Sequence, residues 1–190
     1  MINKIMICGN MGRYIWLIVV IGLGAIVPVW GQNLKFDSAG HFKIVQFTDV
    51  HYVPNNPKSK AAINLIEKVL DLENPDLVVL TGDIVTGRPA RIGWDSVLDP
   101  ILRRNIPFIV TLGNHDDEQD LSRRQVAELV TSYPLNLNTV RVDSVTGYLN
   151  GVFPVLGHLS DKPALLLYGL DSNSYSSIQA IKAALCGIQV

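Results

Sequence analysis

The chain has 190 residues, a formal net charge of −1 and 48% hydrophobic residues. That length suffices for one domain with a sizeable core and is short for two. A charge so close to neutral leaves no electrostatic footprint for nucleic acid or for a polybasic membrane surface.

The apolar residues are unevenly placed. Tyr14 to Val29 is almost wholly apolar, Lys4 and Arg13 precede it, and the small residues Val29 and Gly31 mark its exit. This is the pattern of a secretory signal peptide over residues 1–31, which makes the product exported, periplasmic or extracellular, with no membrane segment after cleavage. An uncleaved signal anchor is the alternative, but a spanning helix needs about 20 apolar residues and this run is interrupted by Pro28. Cleavage removes Cys8 and leaves Cys186, so residues 32–190 would have no internal disulfide and the fold rests on its core.

After a polar lead-in, Lys35 to Gly40, Phe42 to Thr48 is expected as a first strand, with Asp49-Val50-His51 just past its end. Val53 to Pro57 is a loop. Ser59 is expected to cap a helix to Glu73, with Ala62, Leu65, Ile66, Val69 and Leu70 at helical spacing. Leu77 to Leu80 is apolar at every position, which suits a parallel strand buried on both faces, and it ends in Thr81-Gly82-Asp83. A second helix is expected from Ile92 to Arg104, kinked or restarted at Pro100. Ile106 to Leu112 is the third strand and leads into Gly113-Asn114-His115-Asp116. Ser122 and Gln125 form a capping box for a third helix. The alternation predicts a parallel α/β sheet covered on both faces. Beyond Pro134, Thr139–Val142, Gly147–Val155 and Ala164–Leu170 read as strands, antiparallel or in a second layer, followed by the polar loop Asp171–Ser177 and a last helix, Ile178 to Ile188.

The chemistry lies at the three strand ends. In an open α/β sheet, ligands bind beyond the carboxyl ends of the strands. Asp49 and His51 are two apart, so on an extended chain they point to one side and can share an ion. Asp83 follows a glycine that leaves room for close approach, and a carboxylate can bridge two ions. Asn114 offers a neutral oxygen. Oxygen and nitrogen donors without thiolate suit Mn, Fe or Zn, and two such ions about 3.5–4 Å apart can activate water against a phosphate ester. Singly, each residue is better explained as a helix cap, a turn residue or a surface histidine. Jointly, DxH, GD and GNHD, each directly after a buried-strand pattern, form a specific combination.

The ordered blocks DVH (49–51), GD (82–83) and GNHD (113–116) resemble the signature of the calcineurin-like metallophosphoesterases. FKIVQFTDVHY and LDSNSYS (170–176) resemble the purple-acid-phosphatase-like branch. The resemblance implies a two-sheet sandwich flanked by helices over residues 32–190. It implies two divalent ions (Mn, Fe or Zn), one held by Asp49, His51 and Asp83, the other by Asp83 as bridge and Asn114. It also implies His115 as general acid, Asp116 supporting His115 from behind, and a phosphate ester as substrate. The tyrosine of purple iron sites follows the GD block in that family, where this chain has Ile84-Val85-Thr86, so a purple charge-transfer centre is not implied.

The family signature continues to a single histidine and a GHxH block. After His115 this chain has only His158, within LGHLSD and ahead of the DSNSYS tract, which makes it a loop histidine rather than a ligand. The expectation is therefore an N-terminal portion of a phosphoesterase domain, incomplete at its C-terminus. The alternative is a truncated or degenerate, non-catalytic metal-binding domain that lacks three family ligands. Arg88, Arg91, Arg123 and Arg124 are read as solvated surface.

Overall fold

The computed structural model describes residues 34–175. The expected signal segment, both cysteines and the expected helix Ile178–Ile188 lie outside the described residues. Among these residues no helix is long and apolar enough to cross a membrane.

Three βα units run in chain order: β1 (Ile44–Phe47), α1 (Pro57–Glu73), β2 (Leu77–Thr81), α2 (Ala90–Leu102), β3 (Phe108–Thr111) and α3 (Arg123–Thr131). A hairpin of β4 (Gly151–Leu156) and β5 (Pro163–Gly169) follows. The first three strands form a parallel sheet in the order β1-β2-β3, in register Val45↔Val78 and Val79↔Ile109. The hairpin is a separate antiparallel sheet.

Alternation along the strands explains the layering. Val78, Leu80, Phe108 and Val110 point to one face and pack with Ile66 and Leu70 of α1, Trp94 and Leu98 of α2, and Val126 and Val130 of α3. Leu77 and Ile109 point the other way and pack with Phe153 and Val155 of β4. The central strands are buried on both faces, as their apolar runs require. Each fully buried aliphatic or aromatic side chain contributes about 1.5–3 kcal/mol. The three helices do not divide between the two faces, however: their buried residues share one cluster, and the hairpin covers the opposite face. Both faces of the parallel sheet are thus covered as expected, one by the helices and the other by the hairpin, in a two-sheet α/β arrangement.

Three local corrections have physical causes. The cap of α1 is Asn56, whose side chain accepts from Lys58 N, because Pro57 already fixes the first helical turn. The Ser59 hydroxyl accepts from Val53 N instead and ties down the loop after β1. Helix α2 runs through Pro100 to Leu102. Thr139–Val142 is not a strand. The edge of β3 it would occupy is filled by residues 135–138: Phe108 N donates to Leu135 O, Leu137 N donates to Phe108 O, and the buried Asn138 amide both accepts from Val110 N and donates to Val110 O. Ser122 and Gln125 form the expected capping box.

The outer face of the hairpin is apolar and open. Val152 is 53% exposed, Leu166 44% and Tyr168 65%, and the register pairs Val152 with Tyr168 and Pro154 with Leu166 on that face. A contiguous apolar face of this kind promotes self-association. Residues 32–190 expressed alone are therefore expected to show a concentration-dependent mass by light scattering. Leu166→Thr with Tyr168→Thr should shift the population toward monomer, and a monodisperse unmodified monomer would count against this reading.

Candidate metal centre

Where β1 and β2 end, their chains stay zipped. Asp49 N donates to Gly82 O at 3.0 Å, His51 N to Asp83 O at 2.9 Å and Tyr52 N to Ile84 O at 2.9 Å. This pairing brings the first two blocks together. Asp49, His51 and Asp83 each offer one ligand atom, all within 4.8 Å of one another. His51 Nε2 lies 3.7 Å from Asp49 Oδ1, and Thr48 Oγ1 donates to the other Asp49 oxygen at 2.6 Å.

The reason these side chains converge differs from the one read in the sequence. Asp49, His51 and Asp83 are not extended: their φ values are 51°, 48° and 52°. A non-glycine residue in this left-handed region costs of order 1–3 kcal/mol and persists only where the surroundings enforce it. Three such residues in one cluster mark a backbone shaped to present side chains.

The third block is held by Asp116, which is fully buried. Its carboxylate accepts from four backbone amides: Asp83 N (2.9 Å), Ile84 N (2.9 Å), Val85 N (3.2 Å) and Gly113 N (2.8 Å). Burial pushes its pKa up, and the hydrogen bonds from Gly113, Val85 and Ile84 oppose that shift. Asp116 thus fastens the exit of β2 to the exit of β3. Two glycines let the exits touch. A Cβ on Gly82 (φ 90°) would fall 2.7 Å from Gly113 Cα, and one on Gly113 would overlap the Asp83 carboxylate.

Asp83 is buried, and its Oδ1 accepts from His115 N at 3.0 Å. The peptide after Asn114 therefore sits directly on the Asp83 carboxylate. The His115 and His51 rings stand 5.9 Å apart. The partner of His115 Nδ1 is Glu118 Oε2, at 2.6 Å, in place of the Asp116 implied by the resemblance, whose oxygens are taken by backbone amides. The Glu118 contact raises the His115 pKa, and the same contact lowers that of Glu118. Asn114 Nδ2 donates to Tyr175 Oη at 2.8 Å.

Arg123 is not solvated surface. It is buried and donates to Leu112 O (3.0 Å) and Gly113 O (2.8 Å), and it pairs with both oxygens of Asp171 just beyond β5. Burial alone would raise the Asp171 pKa, but Arg123 and the amides of Tyr148 and Asn173 hold it below the usual carboxylate value. Arg124 pairs with Glu128 on the surface. His158 sits in the β4–β5 turn and belongs to no metal-capable group among the described residues.

Sequence reasoning missed Glu118, Arg123, Asp171 and Tyr175. The i, i+3 spacing of His115 and Glu118 was one cue, and the LDSNSYS tract that carries the resemblance holds both Asp171 and Tyr175. The donor set of two carboxylates and an imidazole, gathered within 4.8 Å, fits a hard or borderline divalent ion.

Comparison with known proteins matches the stretch that contains these blocks. The family model for calcineurin-like phosphoesterases matches residues 42–182. The phosphatase DCR2 of Saccharomyces cerevisiae is 32% identical over 82% of this chain and 31% of its own length. Two Arabidopsis thaliana proteins named probable inactive purple acid phosphatases, 29 and 14, are 29% and 26% identical over 84% and 77% of this chain and 49% and 43% of theirs. The chain thus spans between about a third and a half of the length of these relatives. No solved structure matches it significantly.

Proposed function

The chain belongs to the calcineurin-like phosphoesterase family, and from that premise we propose that it hydrolyses phosphate esters with the help of two divalent ions, of Mn, Fe or Zn. The observation that carries the proposal is the convergence of Asp49, His51 and Asp83 at the ends of adjacent parallel strands, each in a left-handed backbone conformation. Asp49, His51 and Asp83 would hold one ion; Asp83 as bridge and the Asn114 amide oxygen would hold the other. When bound, such ions supply positive charge to the phosphoryl oxygens and make a nearby water acidic.

The remaining roles fall to the chain itself. His115 gives Nδ1 to Glu118, which leaves Nε2 to donate a proton to the departing ester oxygen. The Glu118 carboxylate favours the protonated imidazole, the form a general acid needs. Asp116 keeps the Asp83 and Asn114 loops at fixed separation. The apolar segment with small residues at its exit, Tyr14 to Gly31, supports an exported protein, or one held at the membrane by an uncleaved anchor.

A second reading, a metal-binding domain without turnover, is favoured by two relatives named probable inactive purple acid phosphatases. One experiment separates the two. The metal-stripped chain is loaded with Mn2+, and the hydrolysis of an aryl phosphate is followed with and without EDTA. Metal-dependent, EDTA-sensitive turnover is the expected result. Stoichiometric metal uptake without turnover would favour the second reading, and no uptake at all would sink both.

A further inference from the structure

We infer that Tyr175 is a positioning residue that aims the Asn114 amide oxygen at the metal centre and couples that ligand to His115; the inference rests on the two-ion reading above. Tyr175 lies in the polar loop after β5, 61 residues from Asn114. Its hydroxyl is 2.8 Å from Asn114 Nδ2 and 3.0 Å from Glu118 Oε1, and the other Glu118 oxygen holds His115 Nδ1 at 2.6 Å. The proton count fixes the direction of every bond. An ionised carboxylate only accepts, so Glu118 takes the single phenolic proton. Tyr175 can then only accept from Asn114, and the group facing it has to be the NH2. The Asn114 oxygen is thereby turned away from the phenol and kept for a ligand. On the other side Glu118 takes the Nδ1 proton of His115, which sets the tautomer. One phenol therefore orients both the second-ion ligand and the general acid, as outer hydrogen-bond partners of metal ligands commonly do.

The loop that carries the phenol is itself anchored to the same strand end. Asp171, four residues earlier, is held by Arg123, and Arg123 also grips the carbonyls of Leu112 and Gly113, directly ahead of Asn114. Asp117 adds a contact, accepting from Ser174 Oγ at 3.0 Å. The Tyr175 ring is 52% exposed, so water competes for its hydroxyl. The expected effect is then at the low end of the 10–100-fold range for such partners.

The test is Tyr175→Phe in the full chain, with two readouts. In the metal-free protein, the Asn114 side-chain amide resonances, identified by their loss in Asn114→Ala, should lose their hydrogen-bond shift. In stepwise Mn2+ titration by calorimetry, the second ion should bind about tenfold more weakly, with the first step and the melting temperature unchanged. Glu118→Gln keeps the phenol but no longer obliges it to donate, so it should weaken the second step as well. Unchanged amide resonances in Tyr175→Phe, or equal weakening of both steps with a lowered melting temperature, would overturn the inference. An unmodified chain that takes up no second ion, with amide resonances that still depend on Tyr175, would instead overturn the two-ion reading and leave the contact standing.

Discussion

Asp83→Asn is expected to abolish metal-dependent hydrolysis while leaving the metal-free fold at least as stable as before. The asparagine oxygen can still accept from His115 N, so the loop keeps its hydrogen bond. The negative charge is what disappears. Outer partners of metal ligands are worth 10–100-fold in affinity or activity, and a bridging ligand should exceed the upper figure, so the loss is expected to be more than about 100-fold. The metal-free protein has the opposite interest. Asp83 stands buried beside Asp116, whose pKa is pushed up chiefly by burial and further by the Asp83 charge, a repulsion between like charges. Relieving it should add roughly 1 kcal/mol, a rise of about 2–4 °C in melting temperature for a chain of this size. Calorimetric Mn2+ titration and thermal melts of the stripped protein check the two halves separately. Turnover retained within tenfold would remove Asp83 from the centre. A lowered melting temperature would show that the carboxylate serves the fold rather than an ion.

Asp116→Ala should fail in the reverse sense, through structure first. The four amides now bonded to the carboxylate would be left buried without acceptors. Hydrogen bonds to a charged group are worth about 1.5–3 kcal/mol each, and stranded buried donors cost about 1–3 kcal/mol. Local relaxation will recover part of this, so the expected net loss is at least about 3 kcal/mol, or a melting temperature lower by about 6–12 °C. Asp116→Asn should fall between the two proteins, because one amide oxygen can still accept from the loop while the NH2 meets a donor. Both variants should also weaken ion binding, since Asp83 loses its fixed position. A melting temperature for Asp116→Ala within about 2 °C of the parent would refute the fastening role.

These expectations show how much the sequence carries. The β1-α1-β2-α2-β3-α3 succession was legible because each element buries its own periodic face. Leu77 to Leu80 is continuously apolar, and α3 has its capping box within four residues. Asp49, His51 and Asp83 were legible because each follows a buried strand directly. What escaped was non-local. Asn138 closes the edge of β3 with a side chain rather than a strand, so residues 135–142 have no period to detect. The Arg123–Asp171 pair spans 48 residues and the Asn114–Tyr175 bond spans 61. Their members look, one at a time, like ordinary surface polar residues. The location of all three helices over one sheet face was also invisible, because an apolar stripe does not state which side of the sheet it will cover.

The contact between Gly82 and Gly113 gives the motifs a different standing. The sequence presents GD and GN as separate words, each with its own glycine. In the folded chain the two glycines share one gap, and a methyl group on Gly82 would land on the backbone of Gly113. Gly82 is required by its own φ of 90° and again by the backbone of Gly113, while Gly113 is required by the Asp83 of the other block. Substitutions at the two positions would press on the same space and the same Asp83 carboxylate, and their costs would not add. The GD and GN blocks thus meet in one space, and that is the physical reason they carry meaning together that neither carries singly.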